Sequence, residues 1–153
     1  MSKLIYIING PNLNKLGERE PSKYGSHSLE DLKTLCKEKI IKHDLKLDFF
    51  QSNSEKDIID KIHEAQQKGD AILINAAAFT HTSIAIMDAL SIFQGPIIEI
   101  HITNIHAREE FRHKSFISNI AYGIIAGFGF KSYELAIDAI AEKLEKIKVK
   151  NEG

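Results

Sequence analysis

Short segments that are apolar at every position alternate along this chain with longer segments of helical periodicity. Residues 4–8 and 71–74 are clear examples of the first kind, since neither contains a charged side chain. Strands with one face in solvent alternate apolar and polar residues, whereas continuously apolar strands are typical of a parallel sheet covered on both faces. The alternation of such strands with helices therefore predicts an α/β fold with three layers.

The pattern predicts five strands and four helices. The apolar runs place the strands at residues 3–9, 45–50, 71–75, 97–102 and 121–126. Ser28 and Ser54 are expected to begin the first two helices, because each is followed three residues later by an aspartate in the spacing of a capping box, and Gly69 is expected to end the second. The other helices are predicted at 82–93 and at about 132–148, with a frayed tail over about 146–153.

The length of the chain limits how these elements are arranged. Its 153 residues suit one domain, 1–153, and are too few for an α/β barrel of about 250 residues. Five strands in a domain of this size favour a flavodoxin-like parallel sheet in the order 2-1-3-4-5. Ligands of such sheets bind outside the carboxyl ends of the strands, so the residues that end each strand are the candidates for a site.

Composition and charge argue against several classes of protein. The formal net charge of −1 offers no broad field for nucleic acid or anionic lipid, so neither is expected as a partner. No apolar run approaches the roughly 20 residues that cross a bilayer, and the first residues do not resemble a signal peptide, which predicts a cytoplasmic protein. Cys36 is the single cysteine, and we expect it to be a buried apolar side chain on a helix.

The connection over residues 10–27 is far longer than the usual two to six residues between a strand and a helix, which favours a functional loop. It contains Asn12, Arg19 and Tyr24. A tyrosine with an ordinary pKa near 10 is a poor base at neutral pH, but a cation that lowers this pKa by two units supplies only about 2.7 kcal/mol. Arg19 and Tyr24 are therefore a candidate base; the alternative is a surface arginine and a packing tyrosine.

Polar residues also end the third and fourth predicted strands. Asn75 ends the third, and Glu99 and His101 lie two residues apart in the fourth, so they share a face of an otherwise apolar strand. A carboxylate beside an imidazole fixes its tautomer and favours its protonated form, as a general acid requires. The alternative is a buried pair that only closes a local hydrogen-bond network.

Three further candidates follow these strands. His81 lies at the predicted start of the third helix, where exposed N–H groups favour oxyanions, and Asp88 is expected two turns later on the same face. The simpler interpretation of His81 is a residue that makes a helix-end hydrogen bond. The simpler interpretation of Asp88 is a solvated acid. Arg112, in the charged block 108–113, is placed to reach an anionic or hydroxylated ligand, unless the block is a solvated charge run.

Motifs for other chemistries do not occur. A complete GxGxxG, a P-loop, HExxH and GxSxG are all missing, and no histidines pair at zinc-like spacing. The sequence therefore predicts no cofactor and no metal.

Four separated motifs resemble one family. They are INGPNLN at 8–14 with GEREP at 17–21 and YG at 24–25, NAAAFTHTS at 75–83, IEIH at 98–101 and REEFRH at 108–113. Together they resemble the type II 3-dehydroquinate dehydratases, over about residues 5–133. The resemblance implies a flavodoxin-like fold and a cofactor-free lyase. Its reaction would be the trans elimination of water from 3-dehydroquinate through an enolate, giving 3-dehydroshikimate, in the shikimate pathway that leads to chorismate and the aromatic amino acids.

The resemblance also implies roles for the candidate catalytic residues. Tyr24 would remove the proton next to the ketone, and Arg19 would lower the pKa of Tyr24. Asn12 would hold a water molecule against the enolate oxygen. His101, oriented by Glu99, would protonate the departing hydroxyl group.

Substrate binding and assembly are implied in the same way. The substrate carboxylate would accept hydrogen bonds from the backbone N–H groups of Ile102 and Thr103, while Asn75, His81 and Arg112 would place the ring hydroxyls and the carboxylate.

The family forms dodecamers, as tetramers of trimers, in which the residue equivalent to Asp88 reaches a neighbouring site. Met87 stands where the family usually has a basic residue, so this chain departs from the family pattern beside Asp88. The alternative function is a flavodoxin-like module that binds a small acid without turning it over.

Overall fold

A computed structural model describes residues 2–18 and 27–152. The five strands are β1 (Leu4–Asn9), β2 (Lys46–Gln51), β3 (Ala71–Asn75), β4 (Ile97–His101) and β5 (Gly123–Ala126). The α-helices are α1 (Leu29–Lys42), α2 (Glu55–Lys68), α3 (Ile84–Ile92) and α4 (Lys131–Glu152). Short 3₁₀ turns lie at Leu13–Lys15, Ala77–His81, Ile105–Ala107 and Glu110–Arg112.

The strands form one parallel sheet in the order β2-β1-β3-β4-β5, which confirms the predicted flavodoxin-like arrangement. Asn9 of β1 is in register with Asn75 of β3, and Ile74 is in register with Glu99 of β4. The carboxyl ends of the three central strands therefore reach nearly the same level. This is the edge where the sequence predicts a site.

Two apolar clusters cover the two faces of the sheet. Alternate residues of β1 and β3, such as Ile7 and Leu73, pack with α1 and α4 on one face. The intervening residues, such as Tyr6 and Ile74, pack with α2 and α3 on the other. Because both faces are covered, the central strands are apolar at nearly every position, as the sequence pattern predicts. None of the helices in the described ranges has a stretch long and apolar enough to span a membrane.

The two predicted helix caps differ. At α1, the Asp31 N–H donates to the Ser28 hydroxyl at 3.1 Å and the Ser28 N–H donates to the Asp31 carboxylate at 2.9 Å, so the capping box is complete. At α2, only the first of these bonds forms, from the Asp57 N–H to the Ser54 hydroxyl. The Ser54 N–H donates instead to the Ser52 hydroxyl at 3.0 Å.

Two predicted helix boundaries are wrong. The third helix begins at Ile84 and not at 82, because residues 77–81 form a 3₁₀ turn and the Ser83 hydroxyl accepts from the Ile86 N–H as its cap. The last helix continues to Glu152, so residues 146–152, which we expected to fray, are helical here. Leu144 is its last buried residue, and beyond it the side chains are mainly good helix formers, with Lys146 paired to Glu142 one turn earlier.

Candidate active site

A cleft opens at the carboxyl ends of β1, β3 and β4. Most of the candidate residues from the sequence line it, whereas Glu99 lies behind His101 and Asp88 is exposed on α3, away from the cleft of its own chain. Arg19 and Tyr24 lie outside the described residues. The lining side chains are Pro11, Asn12, Leu13, Asn75, Ala77, Ala78, His81, His101, Ile102, Thr103, Ile105, Arg108 and Arg112.

Glu99 and His101 form a buried hydrogen-bonded pair at the end of β4. The Nε2 of His101 lies 2.5 Å from the Glu99 carboxylate, and the two residues are 3% and 0% exposed. The Ser118 hydroxyl donates to the second carboxylate oxygen at 2.6 Å. Burial raises the pKa of Glu99, but the hydrogen bonds from His101 and Ser118 outweigh it, so the pKa is lowered overall. Glu99 is therefore held as a carboxylate that orients the imidazole.

The second histidine of the cleft faces the first. The His81 and His101 rings are nearly parallel, at 16°, with centroids 6.4 Å apart. The Nδ1 of His81 lies 2.7 Å from the Lys114 carbonyl oxygen, which can only accept, so Nδ1 carries the hydrogen. Burial lowers the pKa of His81, and the charge of Arg112 lowers it further, against the raising effect of the Lys114 hydrogen bond. A neutral His81 therefore leaves its Nε2 as an acceptor.

Asn12 reaches the cleft through a tight turn after β1. Its backbone is left-handed, at φ 70°, and its N–H donates to the Asn53 side chain at 2.9 Å. The Gly10 N–H donates to the Asn75 carbonyl at 2.8 Å, and a Cβ on Gly10 would come within 2.3 Å of the Ala76 carbonyl oxygen. Only glycine allows β1 to approach β3 this closely, so Gly10 fixes the position from which Asn12 enters the cleft.

Asn75 is held from both ends of its amide. Its Oδ1 accepts from the Ala77 N–H at 3.2 Å, and its Nδ2 donates to the hydroxyl of Tyr133 at 2.9 Å. Ala77 has a left-handed backbone, at φ 52°, which is unusual for a residue with a side chain. The turn after β3 is thus shaped around the Asn75 side chain.

Ile102 and Thr103 continue from β4 into the rim of the cleft. A turn containing two left-handed glycines holds this end of the strand, because the Gly127 N–H donates to the His101 carbonyl and the Gly129 N–H to the Ile102 carbonyl. Thr103 also accepts a hydrogen bond from the Arg108 guanidinium, at 3.3 Å. The strand end is therefore rigid where it meets the cleft.

Arg108 and Arg112 give this rim a positive character. Arg112 forms an ion pair with Glu109 through its Nε, and its side chain is 20% exposed. Guanidinium groups beside a concave site suit a carboxylate or hydroxyl ligand. Among residues 2–18 and 27–152, no three His, Cys, Asp or Glu side chains lie together in a way that could hold a metal ion.

One expected juxtaposition is wrong. His81 and Asp88 do not share a helix face, because His81 ends a 3₁₀ turn and Asp88 lies on α3, which begins at Ile84. Sequence reasoning also missed Ser118 and Tyr133, which hold Glu99 and Asn75. Both contacts join distant residues, over 19 and 58 positions, and neither has a spacing that marks it.

The sequence and the fold of this chain are both similar to those of known proteins. The family model described as dehydroquinase class II matches residues 3–141. A 3-dehydroquinate dehydratase of Cereibacter sphaeroides is 53% identical over 92% of this chain and 95% of its own length. One from Actinobacillus pleuropneumoniae is 48% identical over 96% of both chains. The crystal structure of the type II dehydroquinase from Propionibacterium acnes superposes with a TM-score of 0.90 at 45% identity, covering 93% of this chain and 98% of that one. The family match spans most of the chain, so this protein belongs to the class II dehydroquinase family.

Proposed function

We propose that this enzyme dehydrates 3-dehydroquinate to 3-dehydroshikimate in the shikimate pathway. The observation that carries the proposal is the buried Glu99–His101 pair, which presents an oriented imidazole to the cleft at the end of β4. The names of the relatives support the same substrate. Simple binding of a small acid requires no buried carboxylate–imidazole pair, so the binding-module alternative is not favoured.

The proposed acid is His101. Its Nε2–H donates to the Glu99 carboxylate, so Nδ1 is the nitrogen left for the substrate. A protonated His101 gives a proton to the hydroxyl group as the carbon–oxygen bond breaks, and water leaves. Glu99 stabilises the imidazolium before the transfer and keeps the ring in one orientation.

The proposed base is Tyr24, assisted by Arg19. Tyr24 as a phenolate takes the proton from the carbon next to the ketone, and the electron pair moves onto the ketone oxygen as an enolate. The enolate then expels the hydroxyl group, which gives the carbon–carbon double bond of the product. Loss of one proton to Tyr24 and gain of one from His101 balance the release of water.

The remaining candidates bind the substrate in this proposal. Asn12 places a water molecule on the enolate oxygen, and the backbone N–H groups of Ile102 and Thr103 donate hydrogen bonds to the substrate carboxylate. Asn75, His81 and Arg112 surround the ring at the positions where they line the cleft. A donor amide and an acceptor imidazole suit the hydroxyl groups, while the guanidinium suits the carboxylate.

We also propose a dodecamer built as a tetramer of trimers, in which Asp88 reaches the cleft of a neighbouring copy. In support, Asp88 lies between two exposed apolar residues on one face of α3, Ile84 at 53% and Ile92 at 48% exposed. Residues spaced by four form a stripe along a helix, and an apolar stripe around an acid suits a contact between copies. Sedimentation velocity of the purified protein measures the assembly.

The test of the function is direct. Purified protein is mixed with 3-dehydroquinate, with and without a chelator, and the ultraviolet absorbance of the conjugated product is followed. We expect turnover that the chelator does not reduce. No turnover would overturn the proposed function, while turnover abolished by the chelator would overturn its independence of metal. The cytoplasmic location stays a prediction that fractionation of the native cells measures.

A further inference from the structure

Tyr133 lies directly beneath the cleft and joins two of the strands that form it. This tyrosine of α4 is 0% exposed. Its hydroxyl donates to the Oδ1 of Asn9 on β1 at 2.6 Å and accepts from the Nδ2 of Asn75 on β3 at 2.9 Å. Burial raises the pKa of Tyr133 far above its usual value, so the phenol keeps its proton and remains a donor.

The direction of this hydrogen-bond chain is fixed at its β1 end. The Nδ2 of Asn9 donates to the Phe50 carbonyl oxygen at 3.0 Å, and a carbonyl can only accept. The Oδ1 of Asn9 must therefore face Tyr133 and accept the hydrogen bond from its hydroxyl. Once the Tyr133 hydrogen is committed to Asn9, its oxygen can only accept from Asn75.

The other end of the hydrogen-bond chain, at Ala77, imposes the same direction. The backbone N–H of Ala77 can only donate, and it lies 3.2 Å from the Oδ1 of Asn75. A flipped Asn75 amide would place its N–H₂ group against this N–H and its oxygen against a tyrosine oxygen with no hydrogen to give. Both contacts would be repulsive, so the network allows one orientation of the amide.

This orientation determines what Asn75 offers a ligand. One N–H of its amide is used by Tyr133, and the second remains as a donor on a residue that lines the cleft. His81 offers an acceptor in the same cleft, since its Nδ1 is committed to the Lys114 carbonyl. A hydroxyl group that accepts from Asn75 and donates to His81 satisfies both.

We infer that Tyr133 is a positioning residue: it holds Asn75 as a hydrogen-bond donor toward an oxygen of the substrate, and so contributes to substrate binding without touching the substrate. The inference deepens the proposed function and rests on Asn75 binding the substrate there.

Tyr133→Phe tests the inference, with Tyr6→Phe as its matched control. Tyr6 is also a fully buried tyrosine of the sheet core, and its hydroxyl donates to Glu64 at 2.8 Å, away from the cleft. We expect Tyr133→Phe to raise KM for 3-dehydroquinate about tenfold, the loss of one hydrogen bond, with kcat changed less than about threefold. Tyr6→Phe is expected to leave both constants unchanged.

A double substitution separates positioning from a general structural effect. If Tyr133 acts through Asn75, adding Tyr133→Phe to Asn75→Ala should change KM by less than about twofold. Equal effects in both backgrounds would overturn the inference, as would an unchanged KM in a folded Tyr133→Phe protein.

Asn9→Ala is the second variant, for the case in which Tyr133→Phe does not fold. Removing the acceptor of Tyr133 frees its hydroxyl hydrogen, so the tyrosine oxygen is no longer forced to accept from Asn75 and only the Ala77 N–H still orients the amide. KM should therefore rise, by less than in Tyr133→Phe. Asn9 is 0% exposed and is not among the described residues that line the cleft. An unchanged KM in this variant would contradict the inference.

Binding of 3-dehydroshikimate, measured by calorimetry, distinguishes failure of the inference from failure of the proposed function. If the wild-type protein binds this compound without turning over 3-dehydroquinate, the proposed function fails, and the ratio of dissociation constants between Tyr133→Phe and wild type still tests the positioning. If the wild type neither binds nor turns over, both are overturned.

Discussion

Two histidine–carboxylate pairs in this protein make the same kind of contact in different surroundings. His101 meets Glu99 through Nε2 at 2.5 Å, and His43 meets Asp138 through Nε2 at 2.7 Å. The first pair is buried beside the cleft, and the side chains of the second are 32% and 43% exposed. Asp138 also binds Lys39 at 3.1 Å, whereas hydroxyl and imidazole groups hold Glu99.

The difference shows that such a pair indicates chemistry only through its environment. At the surface, solvent screens the Asp138 carboxylate, and His43 and Lys39 share it, so the pair contributes little net stability. In the cleft, the carboxylate stabilises mainly the imidazole beside it, and the interaction is stronger because water is excluded. The four predictions below test this contrast, from the largest expected effect to the smallest.

Replacing the two histidines should have unequal consequences. His101→Ala removes the proposed acid and is expected to lower kcat by roughly 10²–10⁴-fold, the usual contribution of general acid catalysis. His43→Ala should leave kcat within about twofold of wild type, since the surface pair has no role in the reaction. Steady-state kinetics of both variants measures the contrast. Equal losses would show that the cleft has no special role.

Neutralising the two carboxylates should again lower kcat in the cleft pair and not in the surface pair. The loss of kcat should be smaller than that caused by replacing His101. Glu99→Gln keeps the shape but removes the charge that stabilises the imidazolium, and we expect kcat to fall about 10²-fold. Asp138→Asn makes the same chemical change in the surface pair and should not alter kcat. A Glu99→Gln protein with wild-type kcat would contradict the role of its charge.

Ser118→Ala should shift the pH profile more than it lowers the maximal rate. Burial raises the pKa of Glu99 and the hydrogen bonds, including that from Ser118, lower it further than burial raises it. Losing the Ser118 donor therefore raises the pKa of Glu99. Because activity requires the ionised carboxylate, the acid limb of kcat should move to higher pH. Ser91→Ala, which removes an exposed hydroxyl bonded to the Met87 carbonyl, is the control and should leave the profile in place.

The smallest effect concerns stability at the surface pair. Asp138→Asn should change the free energy of unfolding by less than about 1 kcal/mol, the usual limit for exposed ion pairs. Urea denaturation followed by circular dichroism measures it. A loss of several kcal/mol would mean that the surface pair is structural, and the comparison with the cleft pair would need revision.

Local patterns predicted the parts of this structure that depend on local physics. The apolar run at residues 71–74 with Asn75 at its end located β3 at its observed limits, residues 71–75, because burial on both faces requires apolar side chains along the strand. The spacing of Glu99 and His101 predicted their contact, because alternate residues of a strand share a face. The strand order followed from chain length and the alternation of elements, and it is confirmed.

What the sequence could not predict depends on tertiary contacts or on backbone detail. His81 ends the 3₁₀ turn at Ala77–His81, and α3 begins only at Ile84, so the expectation that His81 and Asp88 share a helix face was wrong. Ser118 and Tyr133 act across the fold, where no local spacing reveals a partner. The proposed roles of Arg19 and Tyr24 stay predictions, because both lie outside the described residues.

The measurement that tests the central claim most directly is hydrogen exchange in D₂O with the His101→Ala variant. If His101 gives the proton to the departing hydroxyl and another residue forms the enolate, this variant should incorporate deuterium next to the ketone of recovered 3-dehydroquinate while forming almost no 3-dehydroshikimate. Product formation at the wild-type rate would contradict the account. So would the loss of both exchange and product in a correctly folded protein, since His101 would then act before the hydroxyl departs.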